Sequence, residues 1–261
     1  MKFTAFLILF FSITTLFPQT VEERKDLKKY FDEYNHTGCF VLFDLKNDKY
    51  VKYNPEVISE RFIPASTFKI FNTLVGLETG AIKDEKEIMK WDGEKRMYDM
   101  WNQDLDLTNA FKYSAVWFYQ ELARRIGEEK MQYYITLNHY GNENISGGID
   151  RFWLDGELRI SADEQIEFLK KIFRNEVKFS QRSIDILKKI MIYEKTDQYI
   201  IRAKTGWALR VKDQVGWFVG YVEKEDNVYF FALNIQTEKP EEGFVSRKEI
   251  SFKILKDLGV L

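Results

Sequence analysis

Residues 38–53, GCFVLFDLKNDKYVKY, hold two β-rich runs joined by a short polar connection. The runs are 38–45 and 49–53, and both are rich in the β-branched and aromatic residues that favour strands. The three polar residues between them suit the turn of a hairpin. The sequence therefore predicts two antiparallel strands near the start of the chain.

The two ends of the chain have similar patterns: a helix precedes the hairpin at the start, and further strands precede a helix at the end. Apolar residues recur at helical spacing before the hairpin, in 27–34, and again near the end, in 245–258. Residues 60–195 between the two ends have mostly helical spacing. Three further β-rich runs precede the last helix: 199–204, 214–222 and 227–236.

These patterns predict an α+β fold. It consists of an antiparallel β-sheet flanked by N- and C-terminal helices, with an all-helical lobe inserted between the two halves of the sheet. No repeat, low-complexity tract or linker interrupts it. Glycines at the C′ position are predicted to end two lobe helices, at Gly80 and Gly127, and the capping box of Ser161 and Glu164 to begin a third. We expect the active site in the cleft where lobe and sheet meet.

Composition excludes several classes of function. The 261 residues are 45% hydrophobic and include only four prolines, as in a packed globular protein. Lys and Arg total 39 against 41 Asp and Glu, with no long run of one sign, so neither nucleic acid nor an anionic membrane surface is predicted as a partner. Cys39 is the single cysteine, and His36 and His139 are the two histidines. These few side chains predict no disulfide within the chain and no metal centre.

The first residues are typical of an export signal. Residues 3–17 form an uncharged apolar stretch of 15 residues, which is short against the roughly 20 residues of a membrane span. We therefore expect a signal peptide over 1–20, a catalytic domain over 21–261 and a periplasmic or secreted protein with no stable membrane span after processing. The alternative of an uncleaved anchor stays open.

A Ser-x-x-Lys motif begins the first lobe helix. In the stretch 64–69, PASTFK, Ser66 and Lys69 are three residues apart and share one helix face. Apolar surroundings lower the pKa of a lysine, and a neutral amine can accept the proton of a serine nucleophile. The alternative is that Ser66 caps a turn and Lys69 reaches into solvent.

Two later motifs bring further polar groups. They are Ser114-Ala115-Val116, which opens a helix, and Lys204-Thr205-Gly206, which lies in a predicted strand. In the second motif the lysine offers a fixed charge, the threonine a hydroxyl for a substrate carboxylate, and the glycine a position where the backbone approaches a ligand closely. The N–H of Trp207, with that of Ser66, would complete a pair of donors to an oxyanion.

Together these motifs resemble those of the class D β-lactamases, the oxacillinase family of serine β-lactamases. The resemblance covers the chain from about residue 22 to the end. It rests on Ser66-Thr67-Phe68-Lys69, Ser114-Ala115-Val116, Tyr140-Gly141-Asn142, Lys204-Thr205-Gly206 and the segment 152–161. Asn142 and Gly141 also suit a plain turn.

The resemblance implies an enzyme that hydrolyses the β-lactam amide of penicillins and oxacillin-type antibiotics and confers resistance to them. Its substrate would be a small-molecule β-lactam. The resemblance implies no cofactor apart from CO₂, which carboxylates Lys69 to give the general base for acylation and deacylation.

The resemblance also assigns roles to single residues. Ser114 would relay a proton, and Lys204, Thr205 and Arg247 would hold the substrate carboxylate. The carbamate pocket would consist of Phe68, Val116, Trp153 and Leu154.

Two related functions share this machinery. A penicillin-binding D,D-peptidase has the same nucleophile and lysine, but its middle motif usually ends in Asn where this chain has Val116. A β-lactam sensor domain is acylated once and is not a hydrolase. The sequence also leaves open whether the chain forms a homodimer.

Overall fold

The strands predicted at the two ends of the chain lie in one sheet. The computed structural model describes residues 19–208, 214–237 and 240–261. Its strands are β1 (Thr20–Glu23), β2 (Thr37–Asp44), β3 (Lys49–Tyr53), β4 (Ile88–Met89), β5 (Leu105–Asp106), β6 (Ile192–Lys195), β7 (Tyr199–Ala208), β8 (Gln214–Lys224) and β9 (Asn227–Thr237). Within these described residues, seven strands form one sheet in the order β1-β3-β2-β9-β8-β7-β6, and β4 and β5 pair separately.

Strand β2 joins the two halves of the chain. It pairs antiparallel with β3 on one side and antiparallel with β9 on the other, where Val41 lies opposite Ala232. Cys39 and Val41 face one core, and Phe40 and Leu42 face the other. Because both faces of β2 are covered, its sequence is almost continuously apolar. The predicted α+β fold class is confirmed.

Helices cover both faces of the sheet. They are α1 (Lys28–Asp32), α2 (Pro55–Ile58), α3 (Lys69–Glu78), α4 (Leu107–Tyr113), α5 (Val116–Ile126), α6 (Glu128–Asn138), α7 (Ala162–Phe173), α8 (Gln181–Ile190) and α9 (Pro240–Asp257). Helices α1 and α9 pack on one face, and the lobe packs on the other, where α7 contacts β2, β8 and β9. The 3₁₀ turn Ala65–Phe68, which precedes α3, contacts β7, and the candidate site lies at this junction of lobe and sheet.

The edge strands depart from the predicted pattern. Strand β1 pairs parallel with β3, the one parallel pair in this otherwise antiparallel sheet of the described residues. Its sequence, TVEE, is mostly exposed and has no buried side to produce an alternating pattern. At the other edge, β6 lies inside the range predicted as mostly helical. Both strands are only four residues long, so an alternating pattern of apolar and polar residues cannot be recognised in them.

The helix boundaries follow the predicted signals with one exception. Helix α7 begins with the capping box, in which Ser161 Oγ accepts from Glu164 N–H and the Glu164 carboxylate accepts from Ser161 N–H. Gly80 follows α3 with φ 71°, as expected at C′. Gly127 has φ 81° and ψ 158°, which is outside the left-handed helical region, and it also precedes α6 directly. Helix α5 does end at Ile126, as predicted, but Gly127 is its C-cap and forms the corner to α6 instead of lying at C′ in the left-handed conformation.

Most of the predicted signal peptide lies outside the described residues, and Thr20 is already part of β1. The boundary between leader and catalytic domain stays a prediction. Across the part of the chain that the structure describes, no helix combines the length and the hydrophobicity of a membrane span.

Candidate active site

A strained turn presents Ser66 at the start of α3. Residues Ala65–Phe68 form one 3₁₀ turn, and Ala65 has φ 48°, a conformation that costs free energy for any residue except glycine. Thr67 Oγ1 donates to the Pro64 carbonyl at 2.8 Å and accepts from Gln165 Nε2 at 2.9 Å. These contacts bury both neighbours of Ser66 and leave its own side chain half-buried. The turn therefore offers one hydroxyl to a ligand.

Lys69 lies directly beneath this hydroxyl. Its side chain is fully buried, and Nζ donates to Ser66 Oγ at 2.9 Å. Burial disfavours the ammonium form and lowers the pKa of Lys69 to about 7. A substantial fraction of the lysine is therefore neutral near pH 7, as a proton acceptor for Ser66 must be.

The residues predicted to form the carbamate pocket surround this part of the lobe. Phe68 stacks on Trp153 with ring centroids 5.2 Å apart, and both are fully buried. Leu154 belongs to the same core cluster, and Val116, the first residue of α5, packs against it half-buried. Trp153 Nε1 is buried and has no hydrogen-bond partner among the described residues. A buried donor without an acceptor is costly, and it marks a place where a ligand group can accept.

Tyr119 also borders this pocket, and the motif analysis did not include it. Its ring centroid lies 5.1 Å from Lys69 Nζ. Its hydroxyl shares a 2.8 Å hydrogen bond with Thr73 Oγ1, and its carbonyl accepts from Asn72 Nδ2. The sequence did hold one signal for its place in the pocket. Tyr119 follows Val116 by three residues, and residues at i and i+3 lie on one helix face.

Lys204 connects the sheet to the lobe. Its Nζ donates to Ser114 Oγ at 3.0 Å and to the Thr205 carbonyl at 3.1 Å. Ser114 holds φ 59° at the junction of α4 and α5, which turns its side chain toward the sheet. Burial lowers the pKa of Lys204 well below its ordinary value, and the positive charges of Lys69 and Arg247 lower it further. The structure thus brings both lysines and both serines of the predicted motifs together.

The open edge of β7 forms one wall of the cleft. Strand β6 pairs with β7 as far as Arg202, and Ala203 N–H donates to the Met191 carbonyl on that side. The pairing of β7 with β8 continues without a bulge to Ala208. Since backbone groups alternate along a strand, the N–H groups of Thr205 and Trp207 point to the same open edge as that of Ala203. This geometry supports Trp207 N–H as a donor toward the cleft.

Gly206 is explained by packing inside the protein. A Cβ at this position would lie 2.9 Å from the Pro64 carbonyl oxygen and 3.1 Å from Thr67 Cγ2. The turn that carries Ser66 therefore rests directly on β7. A side chain at this position would collide with the turn, and the close approach of a ligand to the backbone of Gly206 stays a prediction.

Arg247 lies on α9 behind Trp207. Its side chain is buried, and the guanidinium carbon is 5.3 Å from the Trp207 ring centroid and 4.3 Å from that of Phe244. Its Nη1 donates to the carbonyls of Gly243 and Phe244, and Nε has no hydrogen-bond partner within the described residues. Burial lowers the pKa of Arg247 to about 10, so the side chain stays cationic at neutral pH. The structure places this charge near Lys204, and its contact with a substrate carboxylate stays a prediction.

Tyr140-Gly141-Asn142 ties down the segment that follows Trp153. Asn142 Nδ2 donates to the Glu157 carbonyl, and Asn142 Oδ1 accepts from Arg159 N–H. Asn142 N–H donates to the Arg159 carbonyl at 2.9 Å. The motif is therefore a turn with a structural role, because its hydrogen bonds hold the segment 157–159 that follows Trp153.

Comparison with known proteins agrees with this arrangement. Residues 28–256 match the model of the penicillin binding protein transpeptidase domain. Beta-lactamase OXA-48 of Klebsiella pneumoniae is 44% identical over 240 residues, which are 92% of this chain and 90% of that protein. The chain belongs to the class D serine β-lactamases.

Solved structures and a regulatory protein share the class D domain. The class D β-lactamase YbXI from Nostoc superimposes with a TM-score of 0.88 at 46% identity, covering 91% of this chain and all of that one. Regulatory protein BlaR1 of Bacillus licheniformis is 41% identical over 248 residues, which are 95% of this chain and 41% of BlaR1. The same class D domain therefore occurs as a β-lactamase and as part of a regulatory protein.

Replacing Gly141 by alanine is expected to destabilise this class D fold strongly. Gly141 has φ 57°, and a Cβ there would lie 2.2 Å from the Arg159 carbonyl oxygen. Gly80→Ala is the matched control, because Gly80 has φ 71° and nothing within 4 Å of the added Cβ. We expect a loss of about 1 kcal/mol for Gly80→Ala and of about 3 kcal/mol or more for Gly141→Ala, measured by urea unfolding. Equal losses would contradict the role assigned to the Arg159 contact.

Proposed function

We propose that the protein hydrolyses the lactam amide of penicillins and oxacillin-type antibiotics through an acyl-enzyme on Ser66. The observation that carries this proposal is the hydrogen bond between Ser66 Oγ and the buried Lys69 Nζ. It joins a half-exposed hydroxyl to an amine whose pKa of about 7 suits proton transfer at neutral pH.

The groups around Ser66 supply the other parts of the reaction. Ser66 Oγ attacks the lactam carbonyl carbon, and its proton passes toward Lys69. The N–H groups of Ser66 and Trp207 donate to the oxygen that becomes negative. The Lys204–Ser114 hydrogen bond forms a path for a proton to the lactam nitrogen as the C–N bond breaks. The hydroxyl of Thr205 and the charge of Arg247 orient the substrate carboxylate.

We further propose that CO₂ carboxylates Lys69 in the resting enzyme. Carboxylation requires a neutral amine, and the burial of Lys69 provides one. The unpartnered Trp153 Nε1 is a donor for the carbamate, and the apolar side chains of Phe68, Val116 and Leu154 exclude water from it. The bound carbamate supplies an anionic base beside Ser66 for acylation and for the water of deacylation.

Trp153→Phe tests the part of the pocket that donates to the carbamate. The variant keeps an aromatic ring that can stack on Phe68. It removes the indole N–H and the volume of one of the two indole rings. A hydrogen bond to a charged group contributes about 1.5–3 kcal/mol, so we expect the bicarbonate concentration for half-maximal activity to rise about 10- to 100-fold. Trp91→Phe, whose indole donates to the Glu94 carbonyl at the surface, is the control and should leave that concentration unchanged. An unaltered bicarbonate requirement in Trp153→Phe would contradict the assignment.

The similarity to BlaR1 favours a second candidate, a β-lactam sensor domain, and a penicillin-binding D,D-peptidase stays an alternative through the transpeptidase family match. Both would be acylated on Ser66 and would release the product very slowly. Incubation with benzylpenicillin distinguishes the hydrolase from these two alternatives. Many turnovers per protein molecule support the hydrolase, whereas a single stoichiometric adduct that persists would overturn it in favour of a sensor or peptidase.

Hydrolysis of this kind would protect a bacterial cell from β-lactam antibiotics. A resistance role also needs the protein outside the cytoplasm, as the apolar stretch at 3–17 suggests. We propose export to the periplasm or medium on this basis.

A further inference from the structure

A cavity of about 450 Å³ opens at one end of the candidate active site. It forms where β6 stops pairing with β7, so that α4 and the end of α8 stand opposite the β7 edge. Lys204 and Thr205 line it from β7. These two residues also belong to the proposed substrate site, so the cavity continues the cleft. We call it the α4–β6 pocket.

The walls of the α4–β6 pocket carry positive charge. Lys112 from α4 and Lys189 from α8 line it. Among the described residues, its lining includes no acidic side chain. Glu85 pairs with Lys189 at 2.6 Å and offsets one of the charges, while Lys112 has a neutral neighbour, the ring of Tyr113. The balance at the pocket is cationic, and it favours an anion.

The rest of the lining fits an organic group rather than a free ion. Phe111 and Met191 are buried apolar residues of the lining, and the Thr108 and Thr205 side chains add hydroxyl groups. An apolar wall with a charged rim suits a substituent with a carbon stem and an anionic end. Its volume is ample for a chain of several atoms.

We propose that the α4–β6 pocket binds an anionic substituent of the β-lactam, carried next to the substrate carboxylate. This inference rests on the proposed function, in which the Thr205 hydroxyl orients that carboxylate and Lys204 lies next to Thr205 on β7. A group on the neighbouring ring carbon would pass these two residues and meet Lys112 and Lys189. The pocket would then select among β-lactams by the charge of that group without taking part in bond breaking.

The test compares two cephalosporins that differ at one position. Both have the same acylamino side chain and a carbon-linked substituent beside the ring carboxylate. The substituent ends in a carboxylate in one compound and in the matching primary amide in the other. The kcat/KM of each is measured for wild type, Lys112→Gln, Lys189→Gln and the control Lys130→Gln. Lys130 is an exposed lysine of α6, outside the pocket lining, so its variant carries the same change in net charge.

We expect wild type to prefer the carboxylate compound by about 5- to 10-fold, mainly through KM, and to lose part of this preference at high salt. Lys112→Gln and Lys189→Gln should each reduce the preference, and Lys130→Gln should retain it. No preference in wild type, or an equal loss in the Lys130 variant, would overturn the proposal. Benzylpenicillin turnover is followed in parallel. If benzylpenicillin is turned over but the two cephalosporins are hydrolysed equally well, only the proposal about the pocket is refuted. If no compound is turned over, the proposed function itself is refuted.

Discussion

Replacing Lys69 by methionine is expected to reduce penicillin turnover by about 10²- to 10⁴-fold while making the folded protein more stable at neutral pH. Methionine has a similar length and fills the same buried space without a charge. The reaction loses its proton acceptor, and Ser66 Oγ loses its 2.9 Å partner. The gain in stability follows from removing a lysine whose burial disfavours its charged form.

The pH dependence of this gain has a definite sign. The pKa of Lys69 is about 7 in the folded protein, below its ordinary value of 10.5. The unfolded chain therefore binds more protons between pH 7 and 10.5, and the free energy of unfolding of wild type rises across that window by about 1.4 kcal/mol per pH unit. Lys69→Met lacks this slope. Its advantage is largest below pH 7 and shrinks by about 2.5 kcal/mol between pH 6.5 and 9.

Urea unfolding of wild type and Lys69→Met in CO₂-free buffer at both pH values measures this difference. Lys130→Met is the control, because Lys130 is exposed and its removal should change neither the stability nor its pH slope appreciably. A Lys69→Met variant that is less stable than wild type at pH 6.5, or a stability difference that does not change with pH, would contradict the destabilising burial of Lys69.

Replacing Ser66 by alanine is expected to abolish the covalent adduct with benzylpenicillin and to lower turnover by about 10³- to 10⁶-fold. Ser66 is half-buried and its turn is held by Thr67 and Gln165, so the variant should stay folded. Lys69, Ser114 and Lys204 all remain, which isolates the nucleophile.

Intact-mass measurement after rapid mixing with excess benzylpenicillin tests this expectation. Wild type should show an adduct of the mass of the antibiotic, and Ser66→Ala should show none. Ser59→Ala, which removes an exposed hydroxyl before the site, should behave as wild type. An adduct that persists in Ser66→Ala would place the nucleophile on another residue.

Much of the fold could be predicted because burial shapes the sequence of its central elements. Strand β2 is covered on both faces and is apolar throughout, and α7 has both an apolar face and a capping box. The edge strand β1 is exposed, so nothing in its four residues records the pairing with β3. The fold could therefore be predicted from the sequence where the chain is buried, and less well at the edges of the sheet.

The candidate site could be predicted where one short motif holds the chemistry, and less where distant segments meet. Ser66 and Lys69 are three residues apart at the start of one helix, so their spacing together with the later motifs predicted the contact. The contact of Tyr119 with Lys69 depends on how α5 packs against α3. The packing of the Ser66 turn on Gly206 joins two segments that are distant in the sequence, so the motif alone did not indicate it. The α4–β6 pocket joins four separate elements and has no sequence signature.

The proposed mechanism depends on a carbamate on the buried amine of Lys69 in the active protein. The most direct measurement is ¹³C NMR of wild type and Lys69→Met in ¹³C-labelled bicarbonate, with penicillin turnover recorded on the same samples. We expect a carbamate resonance in wild type that is absent from Lys69→Met and that grows with bicarbonate in step with turnover. Full turnover in wild type without a carbamate resonance would contradict it.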